Sequence, residues 1–361
     1  MLRFIFAALS ISFIAGFAGF AALAQTFADE PAIKVEVLNA SIDRSLPYLA
    51  ERGQWWIDKK ECMSCHRVSF TAWSHIEAKA AGADVDDGQI NEWIDWCHGN
   101  LFSEFPEKDQ KYPGEKTIVR NLSGAAQMLA VARQWNSTKA QQVAQQKIVD
   151  ALEAGQLRDG RWVPRGQLPF QKRKLDETTH VITMWNALAL HNASQLSHLD
   201  AKKIKPMVES ADRFCMSYED GKSSEWLALR GLFEFSMGRT KNAHSFLERL
   251  RDKQNDDGGW GWIEGDESDA LATAQVAYVL QEIRSLKPAP SDNDEDESSI
   301  QRAMRYLVET QPKDGKWKVK GTKEKAKDKI QETASYWGTS WAVIVLSRES
   351  QFRSSKKDGK H

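Results

Sequence analysis

Three copies of one pattern, Q-x-x-x-G-x-W, constrain this chain more than any other feature: Gln156 with Gly160 and Trp162, Gln254 with Gly258 and Trp260, and Gln311 with Gly315 and Trp317. A glycine at a fixed place in each copy supplies a left-handed turn that other residues resist. The tryptophan and glutamine are suited to pin that turn to its neighbour by stacking and hydrogen bonding. Each copy lies between stretches of helical periodicity, such as 243–250 before the second and 270–283 after it. The repeating unit is therefore a helical hairpin. A weaker copy has Gln110 and Gly114 with Lys116 in place of the tryptophan, a degenerate one falls at Asp220-Gly221, and Gln54-Trp55-Trp56 stands where a worn first copy belongs. The 257 residues from Gln54 to Gln311 divide into five steps of about 51, so six hairpins fit the chain.

Six such hairpins predict an all-α protein, an α/α toroid with inner helices around a central cavity and outer helices behind them. An open solenoid has the same local pattern, so ring closure is not fixed at this level. The tryptophans of the repeats read as structural, not catalytic. With 361 residues, 41% of them hydrophobic, the chain can bury a large core, and a formal net charge of −1 gives no sign of nucleic-acid binding.

The segment Cys62-Met63-Ser64-Cys65-His66 has the spacing of a c-type haem attachment site. Two thiols on one helical turn add across the haem vinyl groups, and the following histidine reaches the iron. The expectation is a covalent haem c whose iron is held by His66, carried on the first hairpin where the inner helix opens. His75 is nine residues on, roughly 13 Å along the same helix, and cannot reach the opposite face. His98 is the leading distal ligand, with Met128, His180 or an open iron as alternatives. Cys62 and Cys65 also suit a redox-active disulfide, or a structural zinc shared with Cys97 and His98. Cys97 and Cys215 are either buried thiols or a disulfide.

Residues 1–24 read as a secretory signal: Arg3, an apolar run from Phe4 to Phe20, and Ala22-Leu23-Ala24 before Gln25. The expected location is periplasmic or extracellular, with no stable membrane span after cleavage and a membrane anchor if the signal is retained. The expected divisions are this signal, a haem-bearing helical segment over 25–100, toroid repeats over 101–348 and a basic disordered tail over 349–361. The acidic stretch 288–297 reads as a solvated loop. The lysine-rich stretches 318–329 and 354–361 read as a loop and a frayed tail; lysine-rich ends are common, and they do not by themselves point to an acidic partner or membrane surface.

The repeats, above all Asn255-Asp256-Asp257-Gly258-Gly259-Trp260-Gly261-Trp262, resemble those of the squalene-hopene cyclase and prenyltransferase-like toroids. The resemblance spans about Ser41 to Leu346 and implies the ring fold, with a cavity for a hydrophobic small molecule. In cyclases of this family the middle aspartate of D-x-D-D protonates an alkene. The equivalent here is Asp266-Glu267-Ser268-Asp269, which puts Ser268 at the donor position. A hydroxyl is far too weak an acid for that step, so cyclase activity is expected to be lost. The aspartate, cysteine and histidine that the zinc prenyltransferases need are absent from the corresponding repeats. The combined expectation is an exported haem protein that transfers electrons to an unidentified redox partner, with a ligand in its cavity. The alternatives are a periplasmic terpenoid- or lipid-modifying enzyme and a binding toroid with a zinc or disulfide staple.

Overall fold

The computed structural model describes residues 32–60, 67–101, 122–164, 171–286 and 295–357. Among them are twelve α-helices that alternate between two layers. The outer layer holds α1 (Val35–Lys60), α3 (Asp87–Leu101), α5 (Lys139–Gly155), α7 (Ala201–Cys215), α9 (Thr240–Arg251) and α11 (Glu295–Thr310). The inner layer holds α2 (Val68–Ala80), α4 (Leu122–Ala132), α6 (Leu175–Ala193), α8 (Ser224–Ser236), α10 (Ala270–Leu286) and α12 (Glu332–Lys357). Each inner helix packs on the next, and α12 packs on both α2 and α1, so six hairpins close into a ring.

The two layers differ in composition as their surroundings require. Every residue of α10 from Ala270 to Arg284 is buried, as is every residue of α2 from Val68 to Ala78. A helix enclosed on all sides must be apolar or internally satisfied around its whole circumference. The outer helix α7 instead buries one stripe, Ile204, Met207, Val208, Ala211 and Cys215, and leaves its lysines in water. Local signals set the ends: Thr138 and Gln141 form a reciprocal capping box on α5, and Ser223 accepts from the Trp226 amide to start α8.

The repeated pattern holds neighbouring hairpins together through one set of bonds, complete in two copies and changed in the third, where Ser45 Oγ takes the place of the glutamine at the Gly315 carbonyl. Gln156 Nε2 donates to the Gly160 and Met207 carbonyls, Gln254 Nε2 to Gly258 and Ser299, and Gln311 Nε2 to Ser41. Each tryptophan indole donates back to a carbonyl ten residues earlier, Leu152, Leu250 or Leu307. Each tryptophan amide donates to an inner-helix threonine, Thr183, Thr273 or Thr339. The third copy reaches from the end of the ring to its beginning. Ser41 Oγ donates to Gln311 at 2.7 Å and Ser45 Oγ to the Gly315 carbonyl at 2.6 Å. Ring closure, open at the level of sequence, is made by these contacts.

The expected turn glycines have φ values of +94° (Gly160), +85° (Gly258) and +75° (Gly315). They also permit close approach: a Cβ on Gly315 would lie 2.0 Å from the Arg44 carbonyl oxygen. The degenerate copy at Gly221 works differently, since its missing side chain makes room for the Trp226 ring. Gln54, expected as a worn copy, lies inside α1 and among the described residues its side chain bonds to Asp58, so it has no part in this scheme there. The copy at Gln110 lies outside the described residues.

Two expectations, one for the tail and one for an internal loop, change. The stretch from residue 349 continues α12 to Lys357, with Glu349 buried between Arg284 and Arg353. Glu295, Asp296 and Glu297 form the first turn of α11 and pair with Arg251 and Arg284, so this end of the acidic stretch is not simply solvated.

Gly315→Ala must adopt a left-handed backbone and also push Arg44 away. Gly238 has φ +76° with open space around it. In chemical denaturation, Gly315→Ala is expected to lose about 2–4 kcal/mol and Gly238→Ala about 1 kcal/mol. Equal losses would mean that the seam tolerates the extra atom.

Candidate functional site

The inner helices enclose a cavity of about 460 Å³. Its wall carries Phe70 and Trp73 from α2, Trp185 from α6, Tyr278 from α10, and Trp337 and Trp341 from α12. These rings form a connected cluster: Trp341 lies 5.2 Å from Phe70, 5.3 Å from Trp73, 5.7 Å from Trp185 and 5.1 Å from Tyr278, centroid to centroid. Trp185 and Trp337 are the less buried members. Aromatic faces carry partial negative charge and stack on flat or polarised C–H surfaces.

Polar groups stand at both ends of the cavity. Where the inner helices begin, Glu225 in the first turn of α8 faces Arg173 at 2.8 Å, both side chains being 3% exposed. Trp185 Nε1 donates to Glu225 Oε1 at 3.0 Å and Gln275 Nε2 at 3.2 Å. Arg173 is fixed in turn by Thr178 and Ser223, and its guanidinium lies 5.2 Å over Trp262. Where the helices end, Glu282 pairs with Arg348, which also reaches Glu77 at 3.4 Å and lies over Tyr278. Arg133, His191, Asn192 and Gln195 complete that end. Among the described residues, Glu225 and Glu282 are the carboxylates on the cavity lining.

The acidic sequence expected to mark a lost cyclase site does not reach this lining. Ser268 Oγ donates to Asp257 at 2.6 Å, Asp266 pairs with Lys172 at 2.6 Å, and exposed Glu267 pairs with Lys320. Asp269 accepts from the Ala272 amide at the start of α10, and burial pushes its carboxyl up to about 6. The first three tie loops to one another, and Asp269 caps α10.

The haem ligands expected from the sequence are placed only in part. Cys62, Cys65 and His66 lie outside the described residues. His98 is buried in the last turn of α3, and its Nε2 has no hydrogen-bond partner among the described residues. Met128 is buried on α4, and His180 is sandwiched between Phe214 and Tyr218 at 4.4 and 4.6 Å. Cys97 and Cys215 are free buried thiols, not a disulfide, and burial pushes the Cys215 thiol up to about 12.

No family model matches the chain. Drimenyl diphosphate synthase from Streptomyces showdoensis is 35% identical over 92 residues, 25% of this chain and 16% of that enzyme's length. The ring superposes on unsaturated glucuronyl hydrolase from Streptococcus agalactiae with a TM-score of 0.60 and 11% identity, covering 90% of this chain and 95% of that one. A second such hydrolase, from Bacillus sp. GL1 and responsible for glycosaminoglycan degradation, gives 0.57 at 13% identity, covering 86% and 96%. A possible GH105 member from Salmonella enterica serovar Paratyphi A gives 0.56 at 14% identity, covering 90% and 96%. At such identities the likeness is one of fold.

The expectation of a haem electron-transfer protein is corrected by these findings. The solved rings are carbohydrate-processing enzymes, and no group of three or more His, Cys, Asp or Glu among the described residues is arranged to hold a metal ion. None of the described helices is long and apolar enough to cross a membrane.

Burial pushes the His75 imidazole down to about 4, against a hydrogen bond from its Nδ1 to the Thr71 carbonyl that acts the other way. Burial does the same to His98, also to about 4. Both stay neutral in the fold while the unfolded chain takes up protons below about 6.5. Their contribution to stability is therefore complete above about pH 6.5 and lost as the pH falls towards 4. Urea midpoints followed across that window should decline, and His75→Phe should flatten the decline. An unchanged slope in that variant would remove His75 from the account.

Proposed function

We propose that this protein is a carbohydrate-processing enzyme that takes a sugar unit into its central cavity, with Glu225 as the carboxylate beside the reacting bond. The observation that carries this reading is the meeting of an aromatic wall with the Glu225–Arg173 pair: Trp185 both lines the cavity and donates to Glu225. A sugar ring offers C–H faces to tryptophan and hydroxyls to amides, and this cavity provides both kinds of surface. Gln127, Gln171, Asn192, Gln195 and Gln331 line it together with the aromatic rings. A hydrocarbon ligand would strip water from these amides without replacing their hydrogen bonds, at a cost of about 1–3 kcal/mol for each one left unpaired.

The hydrolase rings support the same reading through their fold. The Q-x-x-x-G-x-W repeats and the match to drimenyl diphosphate synthase support kinship with squalene-cyclase-like rings. The acid chemistry of those enzymes does not follow, because Ser268 stands at the donor position, Asp266, Glu267 and Ser268 are engaged in loop contacts and Asp269 caps α10. The leader-like residues 1–24 support action outside the cytoplasm. In the proposed reaction, a sugar stacked on Trp185 lies next to the Glu225 carboxylate, which exchanges a proton with water or with a sugar oxygen. Arg173 positions that carboxylate.

The test is turnover of unsaturated uronyl disaccharides and neutral oligosaccharides, followed by ultraviolet absorbance and reducing-end release. Glu225→Gln is expected to lower kcat by about 10²–10⁴-fold with binding largely kept. Trp185→Ala is expected to weaken binding by about 30-fold. Absence of both turnover and saccharide-induced tryptophan fluorescence change in the parent would sink the proposal.

A further inference from the structure

Between Trp317 and α12 the chain forms a flap at the end of the cavity where the inner helices begin. The Gln331 amide donates to the Val319 carbonyl at 3.0 Å and the Gly321 amide to the Lys329 carbonyl at 3.0 Å, which makes residues 319–331 a narrow hairpin. A single turn of 3-10 helix at Glu324–Ala326 forms its tip. The Lys172 amide donates to the Thr322 carbonyl at 2.8 Å, and an isolated bridge joins Gln171 to Lys323, so the flap is docked on the strand-like segment that leads to Arg173. Gly321, Thr322, Lys323 and Ala326 are part of the cavity lining.

This flap carries Lys318, Lys320, Lys323, Lys325, Lys327 and Lys329, against Glu324 and Asp328. Lys320 pairs with exposed Glu267 at 2.9 Å and Lys327 with Glu324 at 2.5 Å. Lys318, Lys325 and Lys329 are exposed and have no ion-pair partner among the described residues. Unpaired like charges so close together repel one another and favour any extended anion that lies across them. The chain as a whole is almost neutral, so the excess is a local property of this rim.

We propose that the flap is the docking surface for an anionic polysaccharide: the lysines grip charged sugars of the chain outside the ring while its terminal unit enters the cavity. For the identity of the polymer this inference rests on the carbohydrate reading of the cavity. It adds a substrate class, polyuronate-like polymers, and a division of labour between rim and interior. The rim interaction is long-ranged and screened by salt, whereas stacking in the cavity is not.

The experiment compares the full chain with a Lys318→Ser/Lys325→Ser/Lys329→Ser variant. All three side chains are exposed, so the fold is not at stake. Polygalacturonate binding is measured at rising salt by co-sedimentation, with dextran as the uncharged polymer. Galacturonate binding is measured by tryptophan fluorescence. The expected result is polygalacturonate affinity lowered by about tenfold at low salt and a shallower salt dependence, with galacturonate binding unchanged and dextran not retained. Unchanged polygalacturonate affinity in the variant would overturn the proposal. Equal, lysine-dependent binding of anionic phospholipid vesicles would also overturn it, by showing an unselective cationic patch. Lysine-dependent polymer binding without any galacturonate signal would support the flap while refuting the cavity reading.

Discussion

The ring depends on the seam where its last turn grips its first outer helix. Gln311 and Gly315 sit directly against Ser41, Arg44 and Ser45, and the absence of a side chain on Gly315 allows the two backbones to approach that closely. Below this seam, Tyr336 Oη donates to the Leu49 carbonyl, and Arg67 pairs with Glu332 and lies over the Tyr336 ring. These contacts add to the packing of α12 on α1, where Ser350 Oγ also donates to Asn39. Since α12 carries Trp337 and Trp341, the seam also fixes the aromatic wall of the cavity.

The interior combines an apolar scaffold with a few polar groups, each held by several partners. Glu225 receives two donors and pairs with Arg173, and Arg348 joins two carboxylates across a tyrosine face. Ion pairs so deep in a core add little net stability, because desolvation opposes their attraction, but loss of one partner is costly. Their worth here lies in orientation. Trp185 is held between Glu225 and Trp341, which fixes the plane on which a ligand would stack.

The hairpin unit and its turn were legible in the sequence because Gln, Gly and Trp do their work within seven residues. The threonines that receive the tryptophan amides were not: Thr183, Thr273 and Thr339 follow their tryptophans by 21, 13 and 22 residues, and such uneven spacing hides a repeated role. The cavity was harder still. Its aromatic residues come one or two at a time from α2, α6, α10 and α12, and only closure brings them together. Arg173 and Glu225, 52 positions apart by their numbers, give no sequence signal of their pairing. The Cys62–His66 motif, the most specific chemical pattern in the chain, led to an electron-transfer reading that the fold comparisons do not support.

The three seams also differ in how far the chain must reach to make them. Gln156 meets Met207 and Gln254 meets Ser299 across 51 and 45 positions, but Gln311 meets Ser41 across 270. Chain entropy makes that last joint the slowest to find. An arc of hairpins can therefore form first, curved but unclosed, with its indoles facing water until the ends meet. The same bond set that gives a uniform ring at equilibrium thus sets an order of assembly, and the interior is sealed only in its final step.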